Sequence, residues 1–133
     1  MTPTKTTLLD KYPVYTSELM KDNTECKRID DVMGHFKTKI DQHPVAAYIG
    51  EFDHHAHVAA QPEGKIADEI KACKHILFCV ANAIPNPLIG ALRPRALSIT
   101  ELTDRFIISY LEAPVETANQ LIANWVEQLA IKA

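Results

Sequence analysis

The sequence predicts a single α+β domain in which a mixed, mostly antiparallel sheet packs with two main helices and one short helix. Two observations carry this prediction. Apolar residues recur with helical spacing in two separate segments, whereas segments with strand character occur both as adjacent pairs and as isolated runs between helices. A chain of 133 residues without an internal repeat or a linker fits one domain, residues 1–133, with its own core. This order of elements is typical of an α+β sandwich.

The beginning of the chain predicts a flexible end followed by a hairpin. Residues 1–9 start with a polar run and are expected to be flexible. Residues 12–20 alternate between two faces, which predicts a strand. Asp22 and Asn23 supply turn chemistry, so a second, short strand is expected over residues 24–27.

The next segment has the spacing of an amphipathic helix, predicted to end near Gln42. Its apolar stripe consists of Ile29, Val32, Met33, Phe36 and Ile40. Asp30 and Asp31 lie in the first turn, where negative charge is favourable to the helix dipole. Pro44 disfavours helical geometry at His43, so the chain is expected to become extended there.

Two apolar runs, residues 45–52 and residues 75–83, are predicted to be central strands because each has apolar side chains on both faces. Between them, proline and glycine indicate a loop over residues 55–65. Apolar residues at helical spacing then predict a short helix over residues 66–73.

The last third of the chain predicts a surface loop, a second hairpin and a long helix. Residues 84–95 contain three prolines and a glycine, too many breakers for a regular element. Strands are expected over residues 96–100 and 105–112. The C-terminal helix begins near Pro114, and its apolar stripe consists of Val115, Ala118, Leu121, Ile122, Trp125, Val126 and Leu129.

Composition narrows the classes of partner. The net charge of −3, with no basic run, argues against nucleic acid as a partner, because neutralising phosphates needs clustered Lys and Arg. No segment approaches the ~20 apolar residues of a membrane span, and the first residues lack a signal-peptide core, so a cytoplasmic protein without a membrane partner is expected. The three cysteines form no C-x-x-C pair, which argues against a zinc ribbon or a disulfide framework.

Three histidines and two carboxylates follow one another in residues 51–57, and this cluster predicts a divalent metal site at Asp53, His54 and His57. If the segment is helical, His54 and His57 share a side and Asp53 caps the helix. If it is extended, His55 and His57 join Asp53 instead. The metal could be zinc, iron or manganese. The alternative hypothesis is that these are solvated histidines of a loop.

Further ligands would have to come from distant parts of the chain. His35, His43 and His75 could contribute only if the fold brings them close to residues 51–57. Asp53 to Ala56 is similar to the Asp-His-His motif of a phosphoesterase superfamily that uses two manganese ions. The chain lacks the other motifs of that superfamily and is too short for its two-lobed catalytic unit, so we interpret the match as coincidence.

The second candidate site is formed by Arg93 and Arg95, which flank Pro94. Guanidinium groups bind planar anions through paired hydrogen bonds, so these two residues predict a site for a small anionic ligand. The alternative is that both arginines pair with Glu101, Asp104 or Glu112, or simply face water.

The chain as a whole resembles a family of small uncharacterised bacterial proteins. The landmarks of this resemblance are His43 to Ala47, Phe52 to His54 with His57, Asn86-Pro87, Arg93 to Arg95 and Leu111 to Pro114. It implies a small domain of unknown role and carries no activity over.

From the sequence we expect a protein that binds a small ligand or a divalent metal at one rim, which Asp53, His54 and His57 would form together with the Arg93 to Arg95 loop. In an enzyme version, a histidine would hold the metal or act as a general base, and an arginine would orient an anionic substrate. The rival expectation is a homodimeric interaction protein without catalytic activity, associating through an exposed strand or the helix face that carries Trp125.

Overall fold

The computed structural model describes residues 2–132 and has an α+β fold, as the sequence predicts. Within these residues, one antiparallel sheet has six strands in the order β1-β2-β6-β5-β4-β3. The strands are β1 Thr4–Leu8, β2 Tyr12–Met20, β3 Ala47–Asp53, β4 Ala72–Cys79, β5 Arg95–Glu101 and β6 Arg105–Leu111. The α-helices are α1 Ile29–Gln42, α2 His54–Ala59 and α3 Glu116–Glu127, and 3₁₀ turns cover Lys21–Asn23 and Ile89–Leu92.

Helices α1 and α3 lie on the same face of the sheet and enclose the core. The apolar stripes of both helices are buried against alternate residues of the strands, such as Phe78 of β4 and Phe106 of β6. The two helices also contact each other, because His35 Nε2 lies 2.8 Å from the Trp125 carbonyl oxygen. A carbonyl oxygen only accepts, so this nitrogen donates. We call this side of the sheet the covered face.

The start of α1 is fixed by acidic side chains from two directions. Asp31 accepts hydrogen bonds from the backbone N–H groups of Lys27 and Arg28. Glu101 of β5 accepts from the backbone N–H of Ile29 at 2.9 Å and also pairs with Lys21 at 2.7 Å. Three consecutive backbone N–H groups, those of residues 27–29, therefore have carboxylate partners at the start of α1.

Two expectations for the first 27 residues are wrong. Thr4–Leu8 is a strand that pairs with β2, although all five of its residues are exposed. Its connection to β2 is tight, with Leu9 and Asp10 at φ angles of 54° and 60°. No strand forms over residues 24–27, because the Thr24 hydroxyl accepts from the Cys26 N–H and turns the chain toward α1.

Two expectations for residues 45–83 are also wrong. β3 lies at the edge of the sheet, and its pairing with β4 shifts register between Tyr48 and Gly50. Residues 66–73 form no helix; β4 already begins at Ala72, and the short helix is α2. The second error arises because a short apolar run fits a strand and a helix equally well.

Candidate functional site

The side of the sheet opposite α1 and α3, which we call the open face, carries the histidine cluster. Here β4 presents Cys73, His75 and Leu77, because alternate residues of a strand point to the same side. The residues in register with Cys73 and His75 on β5 are Thr100 and Ser98. Helix α2 and residues 60–71 cover one end of the open face and leave the rest exposed to solvent.

Helix α2 brings His54 onto β4. Asp53 is the N-cap residue of this helix, and its carboxylate accepts a hydrogen bond from the Ala56 N–H at 2.8 Å. His54 is the first helical residue, and its Nδ1 lies 2.9 Å from Nε2 of His75. One of these two nitrogens donates and the other accepts, so the two imidazoles are directly hydrogen bonded.

Cys73 completes a group of three metal-type ligands. One ligand atom each from His54, Cys73 and His75 lies within 4.8 Å of the others. Sulfur and imidazole nitrogen are the ligands that zinc commonly takes in proteins. Among the described residues, 2–132, this group is the one with three His, Cys, Asp or Glu ligand atoms in such proximity.

Neighbouring side chains hold the cluster in place. The Phe52 ring stacks on His75, with centroids 5.8 Å apart and the ring planes 14° from parallel. The same ring also stacks on His54 and contacts His57. The Thr100 hydroxyl donates to the Cys73 sulfur at 3.6 Å. Each of the three ligand side chains therefore has a packing or hydrogen-bonding neighbour.

Burial lowers the pKa of His75, and the neighbouring His54 lowers it further. A lower pKa keeps the imidazole neutral at pH 7 and leaves a nitrogen lone pair available. His75 is therefore in the protonation state that a metal ligand requires.

The structure separates the residues that the sequence groups as a metal site. His54 joins the cluster, Asp53 caps α2, and His57 lies outside the cluster, with its ring centroid 5.4 Å from that of Phe52. Of the three distant histidines, His75 comes close to His54. His35 instead contacts Trp125, and His43 Nδ1 accepts hydrogen bonds from the N–H groups of Val45 and Ala46.

Arg93 and Arg95 line a different cavity, of about 410 Å³, on the covered face beside the first turn of α3. Arg93 donates to the Ala83 carbonyl oxygen at 2.6 Å, and Arg95 donates to the Leu111 carbonyl oxygen. The three carboxylates proposed from the sequence as alternative partners are engaged elsewhere: Glu101 pairs with Lys21, Asp104 with Arg105 and Glu112 with Lys5.

The two candidate regions therefore do not form one rim. Asp53 is in register with Lys74 of β4, whereas Arg95 is in register with Phe78. Four residues of strand separate these positions by about 13 Å. A shallow trough of about 400 Å³ on the open face is lined by both His75 and Arg95, but the arginine side chain lies on the strand face shared by Leu97 and Ile99.

The fold and the cluster define a class: a small antiparallel α+β domain with a candidate metal centre on its uncovered sheet face. The chain belongs to a family of unknown function, DUF6858, whose model matches residues 3–131. The resemblance to an uncharacterised family is thereby confirmed, while a bacterial origin stays a prediction. No curated protein and no solved structure matches the chain. None of the helices within residues 2–132 has the length and apolar character needed to cross a membrane.

Cys73 was not predicted from the sequence as a partner of His75. Assigning residues 66–73 to a helix placed the cysteine and the histidine on different elements. Had the strand been started at Ala72, the spacing of two residues would have put both side chains on one face. The signal was therefore present in the sequence, but it depended on where one strand begins.

Proposed function

We propose that this protein binds a divalent transition metal of the zinc class through His54, Cys73 and His75. The observation that carries the proposal is the proximity of the three ligand atoms, all within 4.8 Å. Tetrahedral zinc with nitrogen and sulfur ligands has its ligand atoms roughly 3.3 to 3.6 Å apart. Zinc would replace the proton shared by His54 and His75, the donating imidazole would take its other tautomer, and side-chain rotations would bring the sulfur in. A thiolate ligand favours zinc over manganese.

Three protein ligands leave a fourth coordination position for water or a small ligand, as in catalytic zinc sites. His75 also lines the trough on the open face, beside the hydroxyl-bearing residues Ser98 and Ser109. A small polar molecule in this trough would lie next to the metal. We therefore extend the proposal to binding of a small ligand at the fourth position.

The contacts around the cluster support a preorganised metal site. The Thr100 hydroxyl donates to the Cys73 sulfur and holds it in position, as a neighbour of a metal ligand does. Phe52 limits the orientation of both imidazoles. Such neighbours of metal ligands usually change affinity by 10- to 100-fold when they are removed.

The test is a zinc competition titration with a chromogenic chelator on the reduced, metal-stripped full chain. We expect one zinc ion per chain, and a loss of affinity of at least 100-fold in Cys73→Ser and His75→Ala. His57→Ala and Asp53→Asn are matched controls, because both residues belong to the set predicted from the sequence but lie outside the cluster. If His57→Ala weakens zinc binding and Cys73→Ser does not, the ligand set is Asp53, His54 and His57 instead. If wild-type protein binds no zinc, the proposal is wrong.

A second candidate function is self-association through the open face. Leu8, Tyr12 and Leu111 lie together on this face and are 55%, 49% and 52% exposed. Contiguous exposed apolar side chains are typical of interaction surfaces. The helix face that carries Trp125 is not available for such a contact, because Trp125 is buried between α1 and the sheet.

The homodimer is tested by size-exclusion chromatography with light scattering. We expect wild-type protein at high concentration to have twice the mass of the chain, and Tyr12→Lys to reduce it to the mass of one chain. Ile84→Lys is the control, since Ile84 is exposed but lies in the loop before β5. A wild-type protein that stays at the mass of one chain contradicts this second candidate.

A further inference from the structure

A cavity on the covered face has features that the metal centre does not explain. It lies between the loop before β5, the end of β4 and the start of α3, and has a volume of about 410 Å³. Ligand pockets for small molecules usually have volumes of about 300 to 1,000 Å³. Its two cationic side chains are those of Arg93 and Arg95.

The positive charge of this cavity is uncompensated. Within residues 2–132, no carboxylate lies within ion-pair distance of Arg93 or Arg95, and both arginines donate instead to backbone carbonyl oxygens. The Nε of Arg95 is buried and has no hydrogen-bond partner among the described residues. Burial lowers the pKa of Arg95, which reflects the free-energy cost of holding an unpaired charge away from water.

The first turn of α3 adds to this positive potential. Thr117 and Ala118 of that turn line the cavity. The N-cap residue, Val115, has no side-chain acceptor for the first N–H groups of the helix, although its carbonyl oxygen accepts from the Ala118 N–H at 3.0 Å. Glu116, the acidic residue of the turn, lies against Asn119 and lines a different depression. The cavity therefore collects two guanidinium groups and the positive end of a helix dipole.

The rest of the cavity is apolar and poorly covered. Val45, Leu92 and Val115 line it and remain 40%, 44% and 58% exposed. The remaining apolar walls are the side chains of Val80, Ala81, Ile89, Ala113 and Leu121. Exposed apolar surface around an uncompensated charge matches a ligand with one anionic group and a hydrocarbon part.

We propose that this cavity binds a small amphipathic carboxylate, with the carboxylate paired to Arg95 and Arg93 and the hydrocarbon chain against Val45, Leu92 and Leu121. An arginine and a carboxylate form charge-assisted, paired hydrogen bonds, which would supply the missing counter-charge. The apolar part removes exposed surface of the cavity walls from water. This inference is independent of the metal proposal, because the cavity and the cluster lie on opposite faces of the sheet.

The test is a titration of the full-length, uniformly ¹⁵N-labelled protein with octanoate, followed by two-dimensional NMR. We expect saturable shifts confined to the amide signals around the cavity, such as those of Val45, Ala118 and Leu121. Octanol, which lacks the charge, and inorganic phosphate, which lacks the chain, are expected to bind at least tenfold more weakly. Octanol binding as tightly as octanoate, or phosphate binding as tightly as octanoate, would overturn the proposal.

Substitutions of the two arginines distinguish the effect of their charge on octanoate binding from any effect on folding. We expect Arg95→Gln to weaken octanoate binding by at least tenfold, and Arg93→Gln, at the rim, by about threefold. Arg28→Gln is the matched control, because Arg28 is exposed, lies at the start of α1 and is expected to leave octanoate affinity unchanged. If Arg95→Gln fails to fold, the octanoate affinity of Arg93→Gln tests the proposal instead. Wild-type affinity in Arg93→Gln, or shifts that do not saturate, would contradict the carboxylate site.

Discussion

The two faces of the sheet differ in the side chains that they present and in what those side chains contribute to the protein. The covered face presents fully buried Phe78, Ile99 and Ile108 to the two long helices. The open face presents His75, Ser98 and Ser109 in register across three neighbouring strands. A buried apolar side chain contributes mainly to stability, whereas a solvent-accessible polar group can contact a ligand. Strand β4 therefore contributes to stability through its covered face and carries two residues of the candidate metal centre on its open face.

The largest effect is expected from truncating two phenylalanines on opposite faces. Phe78 is fully buried against Trp125, so Phe78→Ala should lower the free energy of unfolding by about 3–5 kcal/mol. Phe52 is 39% exposed, so Phe52→Ala should cost only about 1 kcal/mol but reduce zinc affinity roughly tenfold. Urea denaturation and zinc titration measure the two quantities. Equal losses of stability would contradict the division between the faces.

The next effect concerns the segment that covers the end of the open face. A Cβ at Gly64 would lie 1.9 Å from the Val58 carbonyl oxygen at the end of α2. Because that neighbour is backbone, Gly64→Ala must displace the loop or the helix, and we expect a loss of about 1–3 kcal/mol in urea denaturation. Gly34→Ala is the contrasting variant: nothing lies within 4 Å of its added Cβ, and alanine inside helix α1 should raise the stability by about 0.5–1 kcal/mol. Gly64→Ala with wild-type stability would show that residues 60–71 are not packed as described.

A smaller effect on stability is expected from lowering the pH, because His35 of the covered face is a buried titratable group. Burial lowers the pKa of His35 below its usual 6.5, more strongly than its hydrogen bond to Trp125 raises it. Between the folded pKa and 6.5 the unfolded chain binds more protons, so stability is full above pH 6.5 and falls as the pH drops. His75 shifts in the same direction. Urea midpoints of metal-free protein should decrease from pH 7.5 to pH 5 and decrease less in His35→Gln. A midpoint that rises as the pH falls would contradict this account.

The smallest effect is expected at the turn between β1 and β2. Leu9 adopts φ 54°, a region that is unfavourable for a leucine by about 1–2 kcal/mol and readily adopted by asparagine. Leu9→Asn should therefore raise the melting temperature by a few degrees. Calorimetry measures this change, and a lower melting temperature would show that the exposed leucine stabilises the hairpin by packing.

How far the sequence predicts the molecule depends on the periodicity of each segment. The stripe from Ile29 to Ile40 predicted α1 correctly, because four turns of helix repeat the pattern often enough to exclude a strand. β1 escaped prediction since its threonines are exposed and give no apolar period. Whether β3 is central or at an edge is a property of strand order, and no local pattern contains that information.

Only the residues of the candidate site that are neighbours in the chain could be predicted from the sequence. His54 was identified from its neighbours in the chain, and Asp53 was expected as a helix cap in one of the two geometries considered. His75 and Cys73 join the cluster through the pairing of β3 with β4, which is a long-range property. The unpaired state of Arg95 likewise depends on where Glu101, Asp104 and Glu112 find their partners.

In the function proposed above, the open face holds a metal through Cys73 of β4. The most direct test is the absorption spectrum of the reduced full chain after addition of one equivalent of Co²⁺, compared with the same titration of Cys73→Ser. We expect a thiolate-to-cobalt charge-transfer band with the visible bands of tetrahedral cobalt in wild-type protein, and no charge-transfer band in Cys73→Ser. Wild-type protein without the band, or a band that persists in Cys73→Ser, would contradict the proposed metal site.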